Sequence, residues 1–187
     1  GKTACELHGH HDAGQVGIEA WGRGLIVDLG TSGYPADYFS PARWRYYMAS
    51  SKGHNVPCIG DGEAEGRASL VKSSFDPDLG GWWRQDLTAS YPGADRVVRT
   101  VIHLLPGTVV VLDEIDAGRE AELAVRWHPA HATTPNADGQ CTIIDGEAAL
   151  AARLVRPDGG PLAFQSGRHA FAAPFDRRRQ GDPLPQR

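Results

Sequence analysis

Apolar residues recur along the chain in short alternating stretches, and none keeps the 3.6-residue period of a long amphipathic helix. Strands are predicted at Gln15–Trp21, Gly24–Leu29, Asn55–Ile59, Arg67–Ser73, Trp82–Ser90, Arg96–Leu105, Thr108–Ile115, Glu122–His128, Cys141–Ile144, Ala148–Val155 and Leu162–Phe164. The turn signals Asp61-Gly62, Pro106-Gly107, Asp138-Gly139, Asp145-Gly146 and Asp158-Gly159-Gly160 separate them. Leu104-Leu105-Pro106-Gly107-Thr108 joins two apolar runs and reads as a hairpin. Val109-Val110-Val111-Leu112 is apolar at every position, which predicts a central strand buried on both faces. Together these features predict an all-β fold, an antiparallel β-sandwich, over residues 1–175. Past Asp176, three consecutive arginines and two later prolines predict a flexible tail at 176–187.

The stretch between Gly30 and His54 breaks the pattern. It carries Tyr34, Tyr38, Trp44, Tyr46 and Tyr47 without alternation, and it is long for a connection, a length that points to function. Arg43, Arg45 and Lys52 lie in it, and no acidic residue interrupts 41–55. Such a basic, aromatic loop reads either as a local grip for an anionic group or as an ordinary solvated loop.

Composition narrows the partners. A formal net charge of −4 excludes a globally basic surface, so no nucleic-acid partner is expected and any polyanion must be gripped locally. No run reaches the roughly 18 apolar residues of a membrane span. Cys5, Cys58 and Cys141 are far apart and form no CxxC pair, which removes the usual thiolate zinc sites; Cys58 is expected to be a buried thiol. The richest motif begins seven residues after Gly1, at His8, and the first residue is not Met. Upstream sequence, including any export signal, is therefore expected to be missing.

That motif is His8-Gly9-His10-His11-Asp12. On a strand, residues i and i+2 project to one face, so His8 and His10 can converge. Asp28 ends the next apolar run; if the two runs pair as a hairpin through Gly22–Gly24, Asp28 returns to the neighbourhood of His10–Asp12. The two arms differ in length, so a bulge or short loop must absorb several residues. His54 can supply a third ligand, and Asp12 is suited to orient an imidazole from behind. Two imidazoles and a carboxylate are a set that zinc accepts. Cupins also place His-x-His on a strand, but they need a Glu shortly afterwards. Here Asp12, Ala13, Gly14 and Gln15 follow, with Glu19 the next glutamate.

The order HGHHDAG, GRGLIVDLG and RYYMASSKGHN, followed by Tyr91-Pro92-Gly93 and HLLPGTVVVLDEID, resembles the C-terminal β-sandwich of the heparinase II/III-like polysaccharide lyases, over roughly residues 7–130. The resemblance implies a zinc-like ion on His10, Asp28 and His54. It implies that His8 faces the substrate cleft as an acid–base or sugar-contacting group, and it leaves His11 without a role. The reaction implied is β-elimination at a uronic acid: a base removes the C5 proton beside the carboxylate and the C4 oxygen leaves. Tyrosine serves as base or acid if nearby positive charge lowers its pKa of about 10. In the family, an N-terminal α/α-toroid supplies much of this chemistry. From the sandwich, Tyr46 is the first candidate for the cleft, with Tyr47 beside it and Arg43 and Arg45 as substrate-binding cations.

An acidic polysaccharide or oligosaccharide substrate and an upstream toroid as partner follow from the same resemblance; the expected location is periplasmic or secreted, with the cytoplasm as the alternative. The alternative function is a non-catalytic carbohydrate-binding β-sandwich with a structural metal; a purely structural domain whose histidines hold no ligand is a third. His103 and His128 are expected to be structural, Trp82 and Trp83 to lie in the core or on a sheet face, and Arg96 and Arg99 to line a solvated strand face.

Overall fold

A computed structural model describes residues 9–31, 34, 36–160 and 162–169, apart from the side chains of 36 and 37. The predicted tail lies outside the described residues. Among the described residues ten strands follow in order: β1 Ile18–Ala20, β2 Arg23–Ile26, β3 Pro57–Ile59, β4 Ser69–Asp76, β5 Gly80–Asp86, β6 Arg96–Leu104, β7 Thr108–Asp116, β8 Leu123–Val125, β9 Gln140–Asp145 and β10 Ala148–Arg153. Their pairings are all antiparallel, in the order β4-β5-β6-β7 for the largest sheet and in the pairs β1-β2, β3-β8 and β9-β10. The all-β, antiparallel prediction holds. Among the described residues, no helix is long and apolar enough to cross a membrane.

The β1-β2 hairpin places part of the site. Its two-residue loop puts Trp21 at φ 54° and Gly22 at φ 71°, both in the left-handed region that tight hairpins require. The pairing slips between Ile18 and Glu19, where Ile18 faces Ile26 but Glu19 faces Gly24. The slip leaves Leu25 as an extra residue on β2, the shorter arm, so it does not absorb the surplus between His10 and the turn. Leu25 and Ile26 of β2 share an apolar core with Ile143 and Ala148, which fixes the hairpin against β9-β10. A second core joins Val56 and Ile59 to Leu87, Tyr91 and Val97. Cys58 is buried as expected.

Three expectations are corrected. The Val109–Leu112 run is not central: β7 pairs only with β6 among the described strands, and Val110 and Leu112 are exposed. Its neighbour β6 is buried on both faces, with Val97, Arg99 and Val101 buried on one side and Val98 and Thr100 on the other. Run composition reports β-preference, whereas position in the sheet depends on pairings that composition does not specify. Leu162–Phe164 forms no strand, although Phe164 lies against Gly139. Arg99 does not line a solvated face with Arg96. Three residues apart on a strand, the two point to opposite sides. Arg96 is exposed, while Arg99 is fully buried in a double hydrogen bond to Asp113, Nε to Oδ1 at 2.7 Å and Nη2 to Oδ2 at 2.8 Å.

Candidate metal centre

Gly9–Gly14 runs beside the irregular loop that ends at His54. The His11 amide donates to the Ala49 carbonyl at 2.9 Å, and Asp12 bridges to Ala64. The alternation of an extended segment then operates. His11 turns inward, buried and stacked on Trp44 at 3.6 Å between ring centres, with its Nδ1 3.4 Å from Glu63. His10 and Asp12 take the other side. They meet His54, and the three offer ligand atoms that all lie within 4.8 Å of one another. His8, the other half of the expected pair, lies outside the described residues.

Asp28 arrives from the end of β2. Its Oδ1 accepts the Gly30 amide at 2.6 Å, a turn that Gly30 permits at φ 72°. Its Oδ2 accepts from Gln15 Nε2 at 2.9 Å and lies 3.4 Å from His54 Nδ1. Burial raises the Asp28 carboxyl, but His54 and the Gly30 amide outweigh it and hold it below the usual carboxylate range. His10 is pushed the opposite way for a base: burial first, then neighbouring His54, keep its imidazole neutral more readily than usual. A neutral imidazole at His10 and an ionised carboxylate at Asp28 are the forms that metal binding requires.

His54 supplies the fit test. It is fully buried, and among the described residues neither ring nitrogen has a hydrogen-bond partner. Buried polar atoms are seldom left so, because desolvation costs about 1–3 kcal/mol when nothing replaces water. A cation held by nitrogen and oxygen donors would satisfy them, and the neighbouring His10, Asp12 and Asp28 provide such donors.

Asn55, next in the chain, explains how His54 is held. Fully buried, it donates from Nδ2 to the carbonyls of Val16 (2.9 Å) and Val27 (3.0 Å), tying together the two segments that flank the hairpin. Its amide donates to Gln15 Oε1 at 2.6 Å, so Gln15 links it to Asp28. Its Oδ1 accepts from the His128 amide at 2.7 Å and from His128 Nδ1 at 3.1 Å. An amide oxygen can only accept, so His128 carries its proton on Nδ1 and presents Nε2 as an acceptor to the Tyr47 hydroxyl, 3.4 Å away. Burial, with His54 second, depresses His128 to about 4. From behind, Arg99 Nη1 donates to the carbonyls of Gly14 (2.8 Å) and Asn55 (2.6 Å).

The remaining candidates separate. Tyr46 is fully buried and packs with Tyr38 and Ala49, presenting no surface of its own to a cleft. The adjacent Tyr47 is half-buried, stacked on His169 at 3.8 Å. Arg43 is buried, its guanidinium over Trp44 at 4.7 Å and Tyr38 at 5.1 Å, while Arg45 and Lys52 are exposed. Sequence reasoning missed Tyr38, Gln15 and the roles of Asn55 and Arg99. Of these, only Arg99 left a signal: it falls on the same strand face as Val97 and Val101.

The fold and site define a class: an antiparallel β domain with a histidine–carboxylate cluster at the root of a hairpin, its His54 fully buried and its carboxylates exposed. A family model, heparinase II/III-like, C-terminal, matches residues 1–181, and the chain belongs to that family. The family is one of polysaccharide lyases. No curated protein matches the chain.

Proposed function

We propose that this chain is the zinc-bearing β-sandwich of a lyase that cleaves uronic-acid-containing polysaccharide by β-elimination. The observation that carries the reading is the fully buried His54, neither nitrogen of which makes a hydrogen bond among the described residues, beside His10, Asp12 and Asp28. Zinc suits a nitrogen–nitrogen–oxygen donor set better than the hard cations do. His10, His54 and Asp28 would hold it, with Asp12 beside them. Once bound, it would organise the site and link metal uptake to folding.

This chain's residues form one wall of the cleft. His8 faces the sugar for acid–base work or contact, and Arg45 meets the substrate carboxylate. Tyr47, its hydroxyl turned to His128, offers a half-buried ring to the substrate side; Tyr46 supports it from the packed cluster. An upstream α/α-toroid completes the cleft and supplies further acid–base groups, and the enzyme works in the periplasm or outside the cell.

Metal analysis of chelator-free protein, with a lyase assay on the enzyme joined to its upstream domain, tests the reading. The expected outcome is one zinc per chain and ultraviolet absorbance from an unsaturated uronate. Zinc without lyase activity on any uronate polymer would leave a carbohydrate-binding sandwich with a structural metal. No zinc would remove the site.

A further inference from the structure

Tyr38 belongs to none of the expected ligand or catalytic sets, yet its hydroxyl lies 2.8 Å from His10 Nε2. The ring is almost completely buried. Tyr46 packs at 5.5 Å and Tyr34 meets it edge-on at 5.2 Å, while the Arg43 guanidinium lies over its face. A phenol boxed in this way has little rotational freedom, so its oxygen is a fixed point to which the imidazole must orient.

An imidazole has two nitrogens, and one is engaged by Tyr38. A neutral histidine bound to a cation through one nitrogen carries its proton on the other, and whatever accepts that proton fixes both tautomer and ring orientation. We infer that Tyr38 is the positioning residue for His10: it accepts the Nε2–H, leaving Nδ1 as the nitrogen that faces the ion. The Thr31 side chain and the Arg43 guanidinium also hydrogen-bond the phenol oxygen. The inference rests on the proposed metal site and adds which atom binds and what aims it. It also accounts for Tyr38 and Arg43 together. The cation stacked on the ring fixes the ring, the ring fixes the hydroxyl, and the hydroxyl fixes His10.

The test compares the wild type with Tyr38→Phe, which keeps the ring and its packing. Zinc affinity is measured by competition with a chromogenic chelator, and the His10 nitrogens are assigned by nitrogen-15 NMR of the zinc-loaded wild type. The expected results are a loss of affinity of about 10–100-fold in Tyr38→Phe, with metal-free thermal stability nearly unchanged, and a protonated Nε2 with a metal-shifted Nδ1. Unchanged or tighter binding in the variant would show that Tyr38 only occupies the ion's place, and a metal-shifted Nε2 would refute the inference by itself. The NMR arm needs no variant, so misfolding of Tyr38→Phe would not shield the idea. If the wild type takes up no zinc, the site itself fails and this inference with it. If the wild type binds and Tyr38→Phe binds equally, only the role of Tyr38 fails.

Discussion

Replacing Arg99 with Met removes a guanidinium that ties β6 to β7 and both to the segments carrying the site. The side chain has no exposed surface and makes four bonds, two to the Asp113 carboxylate and two to the carbonyls of Gly14 and Asn55. Met retains much of the aliphatic volume, so the loss is mainly electrostatic. The two carbonyls, deprived of a donor, cost about 1–3 kcal/mol each at most. Asp113, with 13% of its side chain exposed, recovers some hydration and falls toward the low end for a stranded charge. Breaking one side of a buried pair costs about 3–5 kcal/mol in general, and that range is expected here. Against a whole-domain stability of about 5–15 kcal/mol, it is a large fraction.

The assay is equilibrium unfolding in urea, with Arg96→Met as control. Arg96 lies on the same strand with 54% of its side chain exposed, 3.9 Å from Glu114, and should shift stability by less than about 0.5 kcal/mol. Arg99→Met/Asp113→Leu should be less destabilised than Arg99→Met alone, because no charge is then left stranded. If Arg99→Met and its control agree within about 1 kcal/mol, the keystone reading of Arg99 is wrong.

Asp28→Ala is expected to lower zinc affinity by at least about 100-fold and Asp12→Ala by about 10-fold; the reverse order, read by chelator competition, would give the carboxylate corner to Asp12. For His128, the folded value of about 4 lies below the 6.5 of a free imidazole. Between those values the unfolded chain takes up a proton that the native chain refuses, so stability is full above about 6.5 and falls as pH drops toward 4. At about 1.4 kcal/mol per unit, the fall is on the order of 3 kcal/mol. His128→Asn should flatten that part of the urea-midpoint profile, and an unchanged profile would contradict the assignment. Asn55→Asp should be worse than Asn55→Ala, since it turns a carboxylate toward the Val16 and Val27 carbonyls in place of a donor. Thermal melting of the two variants decides this, and equal Tm values would count against it.

The sequence made the strands and the convergence of His10 with His54 readable, because both rest on rules that act locally or through motif order. Alternation placed β6 and β7 almost to the residue, and Pro106-Gly107 marked the turn between them. The sheet order was not readable. Val97–Ile102, with Arg99 and Thr100 inside it, is less apolar than Val109–Leu112, yet the pairing partners leave it the strand covered on both sides. The loop at 30–54 was harder still. It is built from short 3-10 turns such as Pro41–Arg45 and Tyr47–Ala49, whose brief period sends adjacent tyrosines to unrelated environments. Tyr46 is sealed in while Tyr47 reaches His128, and neither strand nor helix periodicity separates them.

The buried polar residues show why motif order carried more than composition. Asn55 lies beside His54 because one position must carry two amide donors and one acceptor into a dry junction of three segments. A residue with that job leaves no periodic trace; it is visible only once Val16, Val27 and His128 are known to meet there. His54 is then forced into the interior by its neighbour's anchoring, where neither nitrogen makes a hydrogen bond among the described residues. The cost of burying His54 and the purpose of burying it are therefore linked. A cation would stabilise the folded state by what the bare imidazole lacks, so metal removal should lower the unfolding midpoint of the wild type far more than that of His54→Leu, which has no nitrogens to satisfy.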